Sequence, residues 1–225
     1  MPVTRSILAI SAHPDDETLG CGGGLLRHQS LGDELHWLVV TDPWPPMFEK
    51  DWIKQRELEI EAVAKAYGMS SCHRAGLQAT KLDSVSLGAV IQSIRRVLDE
   101  VQPDIIYVVH RGDVHSDHRV TFDATIAATK PFRSKRSTSI FSYECPSSTN
   151  MAAPLVGNVF LPQVYCDVSN FIEQKLEILS IYESEVFPPP HPRSLDAVRA
   201  LARYRGSTIS ADYAESYSLI RDVWL

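Results

Sequence analysis

The sequence of 225 residues predicts an α/β fold in which a mostly parallel β-sheet lies between two layers of helices. Short apolar runs alternate with longer stretches whose apolar residues recur at helical spacing, in the order β-α-β-α-β-α-β. The run from Asp104 to Val109 is almost entirely apolar, which is typical of a central strand buried on both faces. Parallel strands joined by helices place those helices on both faces of one sheet.

The strands follow from the short runs of apolar and β-branched residues, and the helices from the longer amphipathic stretches. We predict strands at 7–10, 35–41, 72–77, 104–109, 139–143 and 164–168. We predict helices at 19–31, 49–67, 87–101, 122–129 and 171–182, a further helical segment from Leu195, and a final helix beginning near Ala211 or Asp212. Residues 147–161 are predicted to form a loop over the site, and Pro188–Pro192 a rigid connector. Because no segment has the composition of a domain linker, we expect a single domain, 1–225.

The first predicted helix contains Gly20, Gly22, Gly23 and Gly24, although glycine is a poor helix former. Close packing against the sheet and room for a ligand both explain these glycines. A dinucleotide-binding fingerprint does not, because Leu25 stands where its third glycine would be.

Composition excludes several classes of function. The hydrophobic share of 44% and the charged share of 22% are those of an ordinary globular protein. A net charge of −6 provides no basic surface for nucleic acid. No apolar stretch approaches the roughly 20 residues of a membrane span, and the N-terminus lacks the apolar core of a signal peptide. The four cysteines form no Cys-x-x-Cys pair, so we expect reduced thiols in a cytoplasmic protein.

The turn after the first strand reads Ala12-His13-Pro14-Asp15-Asp16-Glu17 and concentrates one imidazole and three carboxylates. Like charges this close repel one another, and a bound cation is the simplest way to hold them together. His13 and Asp16 lie three residues apart on a turn that Pro14 stiffens, so both can converge on one ion. Imidazole with carboxylate suits Zn²⁺ or another divalent transition metal better than Mg²⁺ or Ca²⁺. The alternative is a plain turn in which Asp15 or Asp16 caps the following helix.

A second cluster follows the strand that ends at Val109 and includes Asp113, His115, Asp117 and His118. Because the carboxyl ends of neighbouring parallel strands meet at one edge of a sheet, we expect this loop beside the first turn. His118 then supplies the third ligand of a His₂-carboxylate site that keeps one position open for water. In such a site Asp15 can act as the general base.

His115 would face the substrate from the other side, as an imidazolium that stabilises an oxyanion or protonates the leaving amine. Either Asp117 or Asp113 could orient it. Among these residues we predict Asp117 as catalytic together with Asp15 and His115.

The two motifs together, His13-Pro14-Asp15-Asp16-Glu17 and His115-Ser116-Asp117-His118, resemble the PIG-L / LmbE-like N-acetylglucosaminyl deacetylases. Weaker similarities to the family lie at Arg56-Glu57-Leu58-Glu59, Arg205-Gly206 and Tyr213-Ala214-Glu215. The resemblance implies a Rossmann-like three-layer domain that removes an acetyl group from an amino sugar through a zinc-activated water. It also implies that His13, Asp16 and His118 hold the metal, that Asp15 is the base and that His115 assists the tetrahedral intermediate. Some members carry a tyrosine where this chain has Asp113.

The predicted substrate is a small N-acetylated amino sugar or its conjugate, and the resemblance allows a homo-oligomer. The candidate substrate-binding residues are Arg56, Asp113, Glu144 and Arg193. Arg56 corresponds to a family arginine that contacts the sugar or an attached phosphate, although a surface helix arginine would fit the sequence equally well. Arg193 could bind a phosphate or a carboxylate. Two alternatives stay open: the same amide hydrolysis on a non-sugar N-acyl substrate, and a non-catalytic sugar- or nucleotide-binding module.

Overall fold

The computed structural model describes residues 4–133 and 138–223, and within them seven strands form one sheet. The strands are β1 (Ser6–Ser11), β2 (Glu34–Asp42), β3 (Ser71–Gln78), β4 (Ile105–Val109), β5 (Ser139–Tyr143), β6 (Val164–Asp167) and β7 (Ala214–Arg221). Their order is β3-β2-β1-β4-β5-β7-β6. Strands β1 to β5 are parallel, and β7 runs antiparallel between β5 and β6. The predicted α/β fold with a mostly parallel sheet is therefore confirmed.

Six α-helices accompany the strands in the described part of the chain. They are α1 (Asp16–Ser30), α2 (Lys50–Ala66), α3 (Leu87–Val101), α4 (Ser116–Ala128), α5 (Ile172–Leu179) and α6 (Leu195–Ser207). Helix α5 packs against both α1 and α6, whereas α3 packs against α4, which gives the two helical layers. Across the described residues, none of the helices has the length and apolar character needed to cross a bilayer. The single domain 1–225 stays a prediction, and it includes residues 1–3, 134–137 and 224–225, which lie outside the described ranges.

The prediction of a final helix near Ala211 or Asp212 is wrong, because strand β7 begins at Ala214 instead. Alanine and glutamate at its start favour a helix locally. The strand instead pairs with β5 on one side and β6 on the other, and four consecutive residues from Ala214 are buried. Pairing on both edges outweighs a local preference of a few tenths of a kcal/mol per residue.

The glycines of α1 serve close packing rather than ligand binding. A Cβ atom at Gly20 would lie 2.0 Å from a ring carbon of Tyr143, and one at Gly24 would lie 2.4 Å from the Tyr217 hydroxyl. Tyr143 is fully buried, and its hydroxyl donates to the backbone carbonyl of Ile10 at 3.1 Å. The helix therefore lies on the sheet at a distance that only glycine permits.

A buried ion pair joins α1 to α5 and β7. Lys175 Nζ donates to Glu215 Oε1 at 2.7 Å and to the carbonyl oxygen of Leu19 at 3.0 Å. The Glu215 carboxylate accepts from the backbone amides of Gly23 and Gly24 at 2.8 and 2.7 Å. In an α-helix the Gly23 amide and the Leu19 carbonyl are the donor and acceptor of one backbone hydrogen bond. Glu215 contacts that donor, and Lys175 contacts that acceptor. This contact anchors the helix that begins with Asp16.

The carboxyl ends of β1 and β4 lie side by side because these strands pair in parallel, with Ile10 opposite Val108. The turn that contains His13 and the loop that precedes α4 therefore meet at one edge of the sheet, where ligand sites of open α/β sheets are found.

Candidate active site

The turn between β1 and α1 brings the first two predicted ligands together. Asp16 is the first residue of α1, and its Oδ2 accepts a hydrogen bond from the backbone amide of His13 at 2.8 Å. This bond closes the turn and leaves His13 Nδ1 3.7 Å from Asp16 Oδ2. The sequence spacing of three residues thus produces two side chains that point to one place.

The start of α4 supplies the third predicted ligand. His118 lies in the first turn of this helix, and its Nε2 is 3.3 Å from Asp16 Oδ1. The ligand atoms of His13, Asp16 and His118 all lie within 4.8 Å of one another. Two imidazoles and one carboxylate in this arrangement are a donor set that zinc and similar transition metals accept.

A buried carboxylate contacts one ring nitrogen of each of the two histidines. Asp113 Oδ2 is 2.6 Å from His118 Nδ1, and Asp117 Oδ2 is 3.0 Å from His13 Nε2. Such carboxylates set the orientation and tautomer of metal-binding imidazoles. Asp113 is fully buried behind His118 and does not line the cleft, so its predicted place among the substrate-binding residues is corrected. The Asp117 carboxylate contacts His13, and its catalytic role stays a prediction.

A second group, His13, His115 and Asp117, also has its ligand atoms within 4.8 Å of one another. The Asp117 oxygens already accept hydrogen bonds from the backbone amides of Thr80 and Leu82, at 2.6 and 3.1 Å. The group that includes Asp16 is the one that the two sequence motifs predict as the metal site.

The charges around these ligands favour a cation. Burial opposes ionisation of Asp16, but the neighbouring His118 and His13 lower the pKa of its carboxyl group below the ordinary value. Burial alone would lower the pKa of His118, but the Asp16 carboxylate and the hydrogen bond with Asp113 raise it to about 10. The space next to His118 Nε2 thus attracts positive charge, which a divalent ion can supply in place of a proton.

Asp15 occupies the turn in a conformation that is rare for a residue with a side chain, with φ of 125°. Its backbone amide donates to Glu17 Oε2 at 3.2 Å, and its Oδ2 is 2.8 Å from Arg193 Nη1. The side chain makes no helix-capping hydrogen bond, so the capping interpretation of the motif does not describe Asp15. Burial raises the pKa of Asp15 well above its ordinary value, although Arg193 opposes this. A strained, buried carboxylate on a cleft wall is typical of functional sites.

His115 lies at the N-cap of α4, where its Nδ1 accepts a hydrogen bond from the backbone amide of Asp117 at 3.2 Å. The proton of the neutral ring is therefore on Nε2. Burial, His13 and His118 together lower the pKa of His115 to about 4, which favours a neutral imidazole over the predicted imidazolium. Its ring centroid lies 4.4 Å from that of His13.

A cleft with an empty volume of about 610 Å³, partly open to solvent, lies in front of these groups. It is lined by His13, Pro14, Asp15, Thr41, Pro43, Phe48, Trp52, Arg56, Ala79, Thr80, His115, Glu185 and Arg193. Arg56 and Arg193 thus lie where the sequence predicts substrate-binding residues, and Arg56 is buried rather than a surface residue of α2. Glu144 does not belong to this cleft, because its carboxylate accepts from Arg205 at 2.7 and 2.8 Å.

Two further carboxylates contact the site, and the sequence does not predict their contacts. Glu185 follows α5 in an irregular segment and reaches the cleft only because that segment folds back over the first turn. Glu17 belongs to the first motif, but its contacts could not be foreseen: its carboxylate accepts from the Tyr182 hydroxyl at 2.8 Å and from the Asp15 amide. Glu17 therefore holds the backbone of the strained turn at Asp15 and links it to Tyr182.

Comparison with known proteins decides the family. A family model described as "PIG-L: GlcNAc-PI de-N-acetylase" matches residues 8–129, more than half of the chain, including both motifs. The chain belongs to the PIG-L family. An Escherichia coli (strain K12) relative, "Uncharacterized deacetylase YaiS", is 29% identical over 191 residues, which cover 80% of this chain and 91% of that protein. A Bacillus anthracis relative, "Probable N-acetyl-alpha-D-glucosaminyl L-malate deacetylase 2", is 24% identical over 80% of this chain and 81% of its own length.

The fold of this PIG-L family protein is also found among solved structures. The conserved protein TT1542 from Thermus thermophilus superimposes with a TM-score of 0.78, at 24% sequence identity, over 99% of this chain and 97% of that chain. The predicted resemblance is thus confirmed at the level of family and fold: this is an α/β protein of a deacetylase family.

Proposed function

We propose that this protein is a zinc-dependent N-deacetylase that hydrolyses the acetamido group of an N-acetylated amino sugar. The observation that carries the proposal is the convergence of His13, Asp16 and His118 beside the carboxylate of Asp15 and the imidazole of His115, at one end of the cleft. Pure binding of a sugar needs neither a buried base nor an oriented imidazole, so this arrangement favours an enzyme.

His13, Asp16 and His118 would hold the metal, each with its orientation set by a neighbouring group. The Cys145 thiol donates to Asp16 Oδ1 at 3.4 Å, while Asp113 and Asp117 hold the two imidazoles. When bound there, Zn²⁺ supplies Lewis acidity that makes a water molecule a competent nucleophile near neutral pH. Another divalent transition metal suits the same donor set.

Asp15 accepts the proton of the attacking water at its carboxylate and holds it for the departing amine. Its raised pKa suits both halves of this task, because a base must be able to keep the proton near neutral pH. Arg193 fixes the position of the carboxylate through the contact at Oδ2. Loss of a general base costs a factor of about 10² to 10⁴ in turnover.

His115 stabilises the oxygen of the tetrahedral intermediate by donating a hydrogen bond from Nε2. Its Nδ1 is engaged by the Asp117 amide, which keeps the ring in the tautomer that can donate toward the cleft. A pre-oriented donor of this kind stabilises developing negative charge without reorganisation of solvent.

The shape and chemistry of the cleft support a sugar substrate. The aromatic side chains of Phe48 and Trp52, with ring centroids 4.9 Å apart, give the cleft an apolar wall beside its polar side chains. A sugar ring offers apolar C–H faces and polar hydroxyl edges, which such a wall and such side chains can both contact. The names of the family and of the Bacillus anthracis relative both refer to N-acetylglucosamine derivatives and support the same substrate class.

The test is acetate release by the purified, zinc-loaded protein from N-acetylglucosamine, its glycosides and UDP-N-acetylglucosamine, with and without chelator. Asp15→Asn should retain bound zinc and lose most turnover, whereas Asp51→Asn, which changes an exposed aspartate in the first turn of α2, should behave as the wild type. Release that survives both the chelator and Asp15→Asn contradicts the proposal. Release only from non-sugar N-acetyl compounds would keep the hydrolase and replace the substrate.

A further inference from the structure

Glu185 lies between the two arginines of the cleft. Its Oε2 accepts from Arg193 Nη1 at 2.5 Å, and its Oε1 accepts from Arg56 Nη2. One carboxylate therefore bridges both guanidinium groups, which is the geometry in which a pair of arginines would bind a carboxylate or phosphate of a ligand.

The remaining partners of Arg56 hold it rigidly. Its guanidinium donates to the carbonyl of Pro14 at 3.2 Å and to the Ser184 hydroxyl at 2.7 Å. Its carbon Cζ lies 4.7 Å from the centroid of the Trp52 ring, and the side chain is only 2% exposed. Arg56 cannot turn to meet a new partner without breaking these contacts.

Arg193 is engaged in the same way from the other side. Its Nε donates to the Ser147 hydroxyl at 2.7 Å, and its Nη1 contacts both Asp15 and Glu185. An anion that approached this arginine would meet the carboxylates of those two residues first.

Both guanidinium groups of this cluster already have carboxylate partners. Two guanidinium groups face three carboxylates, because Glu59 Oε2 also lies 3.3 Å from Arg56 Nε. Asp15 and Glu59 are almost completely buried, while Glu185 and Arg193 keep a quarter of their side-chain surface exposed on the cleft. The two arginines that the sequence suggests for substrate binding are therefore already paired with carboxylates of the chain itself.

We infer that Glu185 determines the charge of the accepted substrate: it occupies the anion position of Arg56 and Arg193, so the cleft takes an uncharged N-acetylated sugar or glycoside. The inference rests on the proposed function and narrows it, because sugars with a phosphate or carboxylate next to the ring are excluded. The exposed edge of Glu185 accepts hydrogen bonds from hydroxyl groups, which neutral sugars supply.

Direct binding of inorganic phosphate tests, independently of turnover, whether Glu185 keeps an anion away from Arg56 and Arg193. Calorimetry on the full-length protein compares the wild type with Glu185→Gln, Glu185→Ala and Glu183→Gln, a matched change of an exposed glutamate two residues away. Any phosphate held by a metal contributes equally in all four proteins. We expect both Glu185 variants to bind phosphate at least about tenfold more tightly than the wild type and Glu183→Gln, which corresponds to about 1.4 kcal/mol. Equal affinity in all four overturns the inference.

Turnover gives the second measurement. The ratio of kcat/KM for N-acetylglucosamine to that for N-acetylglucosamine 6-phosphate should be high in the wild type and in Glu183→Gln, and should fall at least about tenfold in Glu185→Gln. A wild type that prefers the phosphorylated sugar, or a ratio that Glu185→Gln leaves unchanged, also overturns the inference. If none of the N-acetylated sugars, glycosides included, releases acetate, the proposed function fails, and phosphate binding alone decides the role of Glu185.

Discussion

The contact between Asp113 and His118 predicts how strongly a residue outside the metal-binding group controls metal affinity. Asp113 Oδ2 lies 2.6 Å from His118 Nδ1, and neither side chain is more than 1% exposed. Asp113→Asn keeps an oxygen that can accept this hydrogen bond but removes the charge. Asp113→Ala removes both and leaves the imidazole free to rotate.

The expected magnitudes follow from this difference. A hydrogen bond with a charged partner contributes about 1.5–3 kcal/mol, compared with about 0.5–1.5 for a neutral one. Asp113→Asn should therefore weaken zinc binding by about 1.4 kcal/mol, which is tenfold in Kd. Asp113→Ala should approach the upper end of the 10- to 100-fold loss that is usual for such partners of a metal-binding histidine.

The assay is the zinc dissociation constant, measured by competition with a chromogenic chelator. The matched control is Asp123→Asn on α4, the helix that carries His118; its exposed carboxylate pairs with Arg111 at 2.6 Å. An exposed ion pair contributes little, so this control should bind zinc as the wild type does. If Asp113→Ala keeps wild-type zinc affinity while remaining folded, then Asp113 does not orient His118, and the reasoning about the metal site is refuted.

Two further predictions concern the helix that carries Asp16. Gly20→Ala should lower the free energy of unfolding by about 2 kcal/mol, because the new Cβ meets the buried ring of Tyr143. Gly88→Ala, in α3 with nothing within 4 Å, should leave it unchanged or raise it by up to about 1 kcal/mol. Urea denaturation measures both, and equal stabilities would contradict the packing argument. Lys175→Met should cost about 3–5 kcal/mol in the same assay, since it leaves the Glu215 carboxylate buried without its cation. Adding Glu215→Gln should recover part of that loss, and a double variant no more stable than Lys175→Met would show that the unpaired charge is not the cause.

The convergence of the three candidate metal ligands could be predicted because its signals are local or follow from simple topology. His13 and Asp16 lie three residues apart in one turn, so their convergence needs no tertiary information. His118 follows the carboxyl end of another parallel strand, and that edge of an α/β sheet collects its loops in one place. The family resemblance rests on the same residues.

The partners of three carboxylates could not be predicted, for one common reason. For Asp113, Asp117 and Glu144, position in the sequence does not say which side chain each one contacts. In the structure the first two turn toward histidine nitrogens, and Glu144 turns toward Arg205. A rotation about one side-chain bond selects among such partners, and only packing in three dimensions determines it.

The sequence by itself determined the α/β architecture, the two motifs and the three metal-binding candidates, because periodicity, short-range spacing and the parallel-strand rule are enough for each. The tertiary structure alone decided that β7 is a strand, because the pairing partners of that segment are remote in the chain. It also decided that the Glu185 carboxylate pairs with both Arg56 and Arg193. The segment after α5 reaches the turn between β1 and α1 only in the folded protein. Local signals set elements and single sites, whereas the charge of a cleft depends on side chains that meet only when the chain has folded.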